Sequence, residues 1–205
     1  LEKIPKIILA SRSPRRAALL RQMGIPFDVL AKAISEEGLV SPDPEKHVIE
    51  LARRKVEAIL DSVEEGLVIG ADTIVFLEGE IFGKPRNQDE ARMMLWKLSG
   101  KTHEVFTGFT LFQINGRQFS DVERTSVTFR NLEAWEIDDY VETGRPMDKA
   151  GGYGIQDRSG LFVDRIEGCF YNVVGFPLTK FYQGLKHVLG KETVRRIIHQ
   201  QKDFS

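Results

Sequence analysis

Residues 67 to 77, Leu-Val-Ile-Gly-Ala-Asp-Thr-Ile-Val-Phe-Leu, form an apolar run with one carboxylate in its middle. The run predicts a long, mostly buried strand. Asp72 lies in it between Val68-Ile69 and Ile74-Val75, where a bare carboxylate is costly to desolvate unless a cation or hydrogen-bond donors reach it. Strand ends in an α/β sheet form the usual ligand crevice, and Asp72 followed by Thr73 suits a divalent metal there, with Glu36 or Glu37 as partner. A hydrogen-bonded structural aspartate satisfies the same pattern.

The flanking segments alternate strand and helix early, with a hairpin in the centre, which predicts a mixed sheet with helices around it. Lys6-Ile-Ile-Leu-Ala10 reads as a short buried strand and Ser11-Arg-Ser-Pro-Arg-Arg16 as a polar turn into a helix. Ser13 is its N-cap, Pro14 its first residue and Gly24 its stop. A second strand is expected over 27 to 34, then a loop with Glu36 and Glu37, then a helix from Pro44. In that helix Val48, Leu51, Ala52, Val56, Ile59 and Leu60 make an apolar stripe with Lys55 on its edge, so Lys55 points toward the body of the protein.

After the central run, Glu78-Gly-Glu80 turns into a strand ending at Gly83-Lys-Pro85, and Asn87 with Glu90 forms a capping pair for a helix that stops at Gly100. Strands over 103 to 114 and 117 to 130 flank the Asn115-Gly116 hairpin turn. A helix over 132 to 143 ends at Gly144, and 145 to 156 is irregular. Residues 161 to 166 and 171 to 174 are expected to close as a hairpin, followed by helices over 177 to 189 and from 192 onward. No repeat or linker divides the chain, so 1 to 205 reads as one domain.

Composition narrows the function classes. With 29 Lys plus Arg against 30 Asp plus Glu, the net charge of −1 supplies no basic field for long nucleic acid. Cys169 is the single cysteine, so neither an intrachain disulfide nor a cysteine-rich zinc site is available. No apolar run approaches the ~20 residues of a membrane helix, and the first ten residues are too short in apolar character for a secretory signal. A reducing cytoplasm is the expected setting.

Besides Asp72, three groups carry chemistry. Ser11, Ser13, Arg15 and Arg16 surround a helix N-terminus, whose free N–H groups and dipole suit a phosphate. They fit a capped helix with solvated arginines as well. Lys55 and Lys84 are singly no more than lysines with buried stems, but beside two arginines and a strand carboxylate they complete what a polyphosphate–metal complex requires. The stretch Met147-Asp-Lys-Ala-Gly-Gly-Tyr-Gly-Ile-Gln156 allows close backbone approach, and the Gln156 amide can pair bidentately with an imide edge such as that of uracil or thymine. A tight structural turn explains that stretch equally. The widely spaced histidines 47, 103, 187 and 199 read as surface or packing residues, and neither a Walker loop nor a dinucleotide fingerprint occurs.

In order along the chain, Ser11-Arg-Ser-Pro-Arg-Arg16, Gly70-Ala-Asp-Thr73, Gly83-Lys-Pro85, Ser99-Gly100 with Thr102-His103, and Asp148-Lys-Ala-Gly-Gly-Tyr-Gly-Ile-Gln156 closely resemble the Maf family of nucleoside triphosphate pyrophosphatases over residues 6 to 186. The resemblance implies an α/β fold, an elongated mixed sheet wrapped by helices with two lobes around a cleft, similar to the inosine triphosphatase group. It implies hydrolysis between the α and β phosphates with a divalent metal, Mg²⁺ or Mn²⁺. Asp72 matches the proton acceptor, Glu36 and Asp72 the metal positions with Glu37 nearby, and Ser11, Ser13, Arg16, Lys55 and Lys84 the phosphate positions. Arg15, Thr73 and Gln156 match positions that set substrate choice, in a subgroup acting on dTTP and UTP. A related subgroup prefers 7-methylguanosine triphosphate. Position 152 is Gly where Ala is common in relatives, which loosens the loop without removing a donor. The family is also linked to arrest of septum formation and to clearing modified nucleotides, and a homodimer is expected. The competing class is a nucleotide-sensing division regulator without turnover.

Overall fold

The carboxylate-bearing run folds into a single strand that two other strands share along one edge. In the computed structural model, which describes residues 4–34, 41–114 and 116–199, seven strands make one mixed sheet: β1 (Ile7–Leu9), β2 (Asp28–Val29), β3 (Leu67–Leu77), β4 (Glu80–Phe82), β5 (Thr102–Gln113), β6 (Gln118–Phe129) and β7 (Val163–Glu167). The order is β2-β1-β3-β5-β6-β7, with β4 also on β3. β1 is parallel to β2 and β3, and the remaining pairs are antiparallel. On one edge of β3, residues 67–69 pair with β1 and residues 75–77 with β4. Residues 70–74 therefore face a gap in the sheet, and Asp72 lies at its centre.

Side chains alternate along β3 and separate the surroundings of that gap by face. Leu67, Ile69 and Ala71 join one core with helices α1 (Pro14–Gln22), α6 (Leu178–Leu189) and α7 (Lys191–His199). Val75 and Leu77 on the same face join a second core with α3 (Gln88–Leu98) and α4 (Ala134–Glu142). Thr73 falls between the two. On the opposite face Val68 and Ile74 pack on α2 (Pro44–Leu60). That helix lies very close to the sheet, because a Cβ on Gly70 would stand 2.1 Å from the Ala52 carbonyl oxygen and one on Gly108 would stand 2.7 Å from the Val48 backbone. Two glycines thus set the depth at which α2 carries Lys55 toward Asp72.

Local capping follows the sequence. The Ser13 hydroxyl accepts from the Arg16 N–H at 3.4 Å, Pro14 opens α1, and Gly24 takes φ 72° after it. Asp43 caps α2 through the N–H groups of Glu45 and Lys46. Asn87 accepts from the Glu90 N–H at 2.8 Å, but Glu90 turns its carboxylate to Arg86, so the reciprocal half of the expected capping pair is not made. β5 and β6 pair from Thr102 opposite Thr128 to Phe112 opposite Gln118, while Asn115 of the expected hairpin turn lies outside the described residues.

Three expectations change. The strand expected over 27 to 34 shrinks to the exposed Asp28–Val29, which pair with Ile8 and Leu9 of β1, with the Leu30 N–H also donating to the Leu9 carbonyl at 3.2 Å. The irregular 145 to 156 contains two 3₁₀ turns, Arg145–Asp148 and Ala150–Gly152. The closing hairpin is absent: residues 161 and 162 end a 3₁₀ turn, β7 pairs with β6, and residues 171 to 174 belong to a short helix, α5 (Phe170–Val174), capped by Gly175 at φ 119°. A four-residue run has no period long enough to tell strand from buried helix. Here Asn172 decides it, since its buried amide donates to the Val105 carbonyl and the Thr125 hydroxyl, both 2.9 Å away, and docks the turn on β5 and β6. Among the described residues no helix is long and apolar enough to cross a membrane.

Candidate active site

The gap in the sheet opens into a cleft of about 570 Å³ between the two cores. Ser11, Ser13, Arg15 and Arg16 reach it from the turn after β1 and the start of α1, Lys55 from α2, Asp72 and Thr73 from β3, Lys84 from the turn after β4, and Gln156 from the turn after the glycine-rich stretch. Nine residues singled out in the sequence are thereby brought together. Glu36 and Glu37 lie outside the described residues.

On the α2 face, the Lys55 ammonium donates to Asp72 Oδ1 and, at 3.2 Å, to the Ala71 carbonyl. Both side chains are largely buried, at 19% and 14% exposure, so the pair is shielded from bulk water. This is the cation that the strand carboxylate requires. Its other oxygen, Oδ2, takes no hydrogen bond from a described residue.

On the opposite face, Arg16 is 7% exposed and forms part of the cleft floor. Its Nε donates to the Gly175 carbonyl at 2.9 Å, Nη1 to Ser11 Oγ at 3.1 Å and Nη2 to Thr73 Oγ1 at 2.9 Å. Burial pushes its pKa down to about 10, with Asp72 opposing that shift and Arg15 adding to it, so the guanidinium stays charged at neutral pH. Three of its five N–H groups are committed, and one on each terminal nitrogen remains. Arg15 instead bridges the cleft to Asp148, through Nη1 to Oδ2 at 2.6 Å and Nη2 to the carbonyl at 3.0 Å. Lys84 is exposed and has no ion-pair partner among the described residues.

Several cleft residues carried no role in the sequence reading. Asp148, Lys149 and Asp157 line it as a charged chain: Lys149 Nζ donates to Asp148 Oδ1 at 2.6 Å and to the Arg145 carbonyl at 2.7 Å, and lies 3.3 Å from Asp157 Oδ2. Adjacent opposite charges in a loop look locally like a self-neutralising solvated pair, which hides them from sequence reasoning. Tyr153 also lines the cleft, and its hydroxyl is 2.7 Å from Nε2 of His103. Burial pushes His103 down to about 3, so it is a neutral packing residue that fixes the ring.

The donor set for a metal is sparse. Among the described residues no three His, Cys, Asp or Glu side chains gather as a ligand group, and Oδ2 of Asp72 is a hard anionic oxygen facing a cleft lined by cations. One carboxylate with substrate phosphates and waters suits Mg²⁺, which keeps much of its hydration, so the residues fit a cation that arrives with a polyphosphate.

The family model Maf-like protein matches residues 6–188. A dTTP/UTP pyrophosphatase of Caldicellulosiruptor saccharolyticus is 47% identical over 182 residues, covering 85% of this chain and 90% of its own. One from Carboxydothermus hydrogenoformans is 44% identical over 182 residues, covering 88% and 97%. Among solved structures, a HAM1 protein from Coxiella burnetii aligns with TM-score 0.48 at 12% identity, covering 89% of this chain and 99% of that one. The match across nearly the whole chain, with relatives this similar, makes this protein a member of the Maf family.

Proposed function

We propose that this protein hydrolyses dTTP and UTP to the monophosphate and pyrophosphate. The observation that carries the reading is the placement of Asp72, a carboxylate held on one oxygen by Lys55 with its other oxygen bonded by no described residue, in a cleft lined by Arg15, Arg16 and Lys84. A pure anion binder gains nothing from a carboxylate there, whereas a hydrolase needs a base. The names of the relatives above support the same reaction.

In this reading Asp72 Oδ2 accepts a proton as a water oxygen attacks the α-phosphorus. The bond from that phosphorus to the oxygen bridging to the β-phosphate breaks, and its electron pair leaves with pyrophosphate. Lys55 orients Asp72 through its contact with Oδ1. The two remaining N–H groups of Arg16, with Arg15, Lys84 and the hydroxyls of Ser11 and Ser13, receive phosphate oxygens and offset the charge that grows on the leaving group. Asp72, with Glu36, would hold a divalent cation, which would supply further charge neutralisation on the phosphates. Gln156 is exposed at the cleft, where its amide can pair with the imide edge of uracil or thymine. A cytoplasmic homodimer, with a part in clearing nucleotide pools, belongs to the same proposal.

The test is pyrophosphate release from a panel of nucleoside triphosphates, with Mg²⁺, Mn²⁺ or chelator. Release from dTTP and UTP that the chelator abolishes is the expected result. Preference for 7-methylguanosine triphosphate would move the protein to the related subgroup, and tight binding without release would make it a nucleotide sensor.

A further inference from the structure

The cleft face of Arg16 is held by a run of hydroxyls that continues away from the cleft into the sheet. Arg16 Nη2 donates to Thr73 Oγ1 at 2.9 Å. Thr73 Oγ1 is in turn 2.9 Å from Thr107 Oγ1, and Thr107 Oγ1 is 3.3 Å from the Asn172 carbonyl. Thr107 stands directly opposite Thr73 in the β3–β5 register, so the sheet itself fixes their contact. It is 0% exposed, and no bulk water can replace its hydroxyl.

Bond directions follow from chemistry. A guanidinium has donors only, so Thr73 must accept from Arg16, and its own hydrogen goes either to Thr107 at 2.9 Å or, over a longer 3.4 Å, to the Gly175 carbonyl. The run closes head to tail when Thr73 donates to Thr107 and Thr107 donates to the Asn172 carbonyl. Asn172 is fully buried and tied to β5 and β6, and Gly175, at the end of the same short helix, accepts from Arg16 Nε at 2.9 Å. The guanidinium is thus held at two points by one framework, with Thr107 as the middle member of one of them.

We propose that Thr107 is a positioning residue for the substrate phosphates: through Thr73 it holds the Arg16 guanidinium so that its two uncommitted N–H groups face the cleft. The inference rests on the pyrophosphatase reading. Thr107 touches no substrate. Thr73 has its hydrogen and one lone pair already engaged, and acts on substrate chiefly by aiming Arg16.

Two variants of Thr107 separate this role from packing. Valine keeps the shape of threonine and loses the hydroxyl, while serine keeps the hydroxyl and loses a methyl. If Thr107 serves packing, Thr107→Ser is the more damaging change, since it leaves a cavity. If it serves the relay, Thr107→Val is the more damaging in function. We expect Thr107→Val to raise KM for dTTP about tenfold, the scale of one net hydrogen bond, with kcat changed less. Thr107→Ser should return KM to within about twofold of the wild type. Because the hydroxyls act in series, Thr73→Val with Thr107→Val should be no worse than Thr73→Val alone. Wild-type KM in Thr107→Val, or a serine variant worse than the valine one, overturns the relay and leaves the pyrophosphatase reading standing. Wild-type protein that releases pyrophosphate from no nucleoside triphosphate overturns both.

Discussion

Arg15 and Asp148 are 133 positions apart in the chain and meet across the cleft at 2.6 Å. The second nitrogen of Arg15 reaches the Asp148 carbonyl at 3.0 Å, so one guanidinium reads both the side chain and the backbone of the loop. Burial acts to raise the Asp148 carboxyl, but donation from Lys149 and Arg15 outweighs it and holds the group below the usual carboxylate range. The pair ties the start of α1 to the turn that precedes Gln156. With the Asp148 side chain 51% exposed, solvent screening limits its worth to about 0.2–1 kcal/mol. Arg15→Lys, which cannot make both contacts, should leave Tm nearly unchanged and raise KM for dTTP several-fold. A large drop in Tm with unaltered KM would make the pair a structural brace instead.

Asp72→Asn should lower pyrophosphate release by roughly 10²-fold or more, the usual scale for loss of a general base. Nucleotide binding should survive, since asparagine fills the same space and still accepts from Lys55. Single-turnover assays with dTTP, read beside calorimetric binding, separate the two effects. Turnover equal to wild type would remove Asp72 from the base role.

Gln156 is exposed and lines the cleft, so its removal leaves the fold intact. Gln156→Ala should narrow the preference for dTTP and UTP over cytosine and purine triphosphates more than it lowers kcat on dTTP. An unaltered substrate profile would place base reading elsewhere in the cleft.

Gly70→Ala tests whether the depth of α2 matters. The added Cβ would meet the Ala52 carbonyl oxygen at 2.1 Å, and overpacking of this kind costs about 1–3 kcal/mol. The helix must back away, and Lys55 goes with it. Urea unfolding should show a lower midpoint, and pyrophosphate release should fall with it. Wild-type activity in a destabilised variant would show that the Lys55–Asp72 contact tolerates the movement.

His103 gives the protein an acid sensitivity of defined sign. Burial lowers its pKa from 6.5 to about 3 in the folded state, so below pH 6.5 the unfolded chain binds a proton that the folded one does not. The stability is full above that value and falls as pH drops toward the folded value. Between pH 7 and pH 5 the wild type should therefore lose about 1–2 kcal/mol more than His103→Gln in urea titrations. Parallel pH profiles for the two proteins would show that His103 is accessible to protons in the native state.

Features whose cause is local were legible in the sequence. Ser13-Pro14 starts a helix because the cap and the preset φ act within one turn, and the β5–β6 hairpin and the apolar run around Asp72 carry their own pattern. Ser11, Ser13, Arg15, Arg16, Lys55, Asp72, Thr73 and Lys84 were recognisable by type and order, whereas the charged cleft residues Asp148, Lys149 and Asp157 were not. Nor were the partners of any of these residues. Lys55 meets Asp72 because two glycines let α2 approach the sheet, Arg16 turns inward because Thr73 and Gly175 accept from it, and Arg15 finds Asp148 only when both cores have closed. Residues 171 to 174 became helix instead of strand because the buried Asn172 amide docks on β5 and β6. Capping, periodicity and turn chemistry act over a few residues, so the sequence by itself determined most of the elements and nine of the residues that line the cleft. Which donor meets which acceptor depends on segments up to 159 positions apart, where local energies are alike for many pairings, and only the packed tertiary structure decides among them.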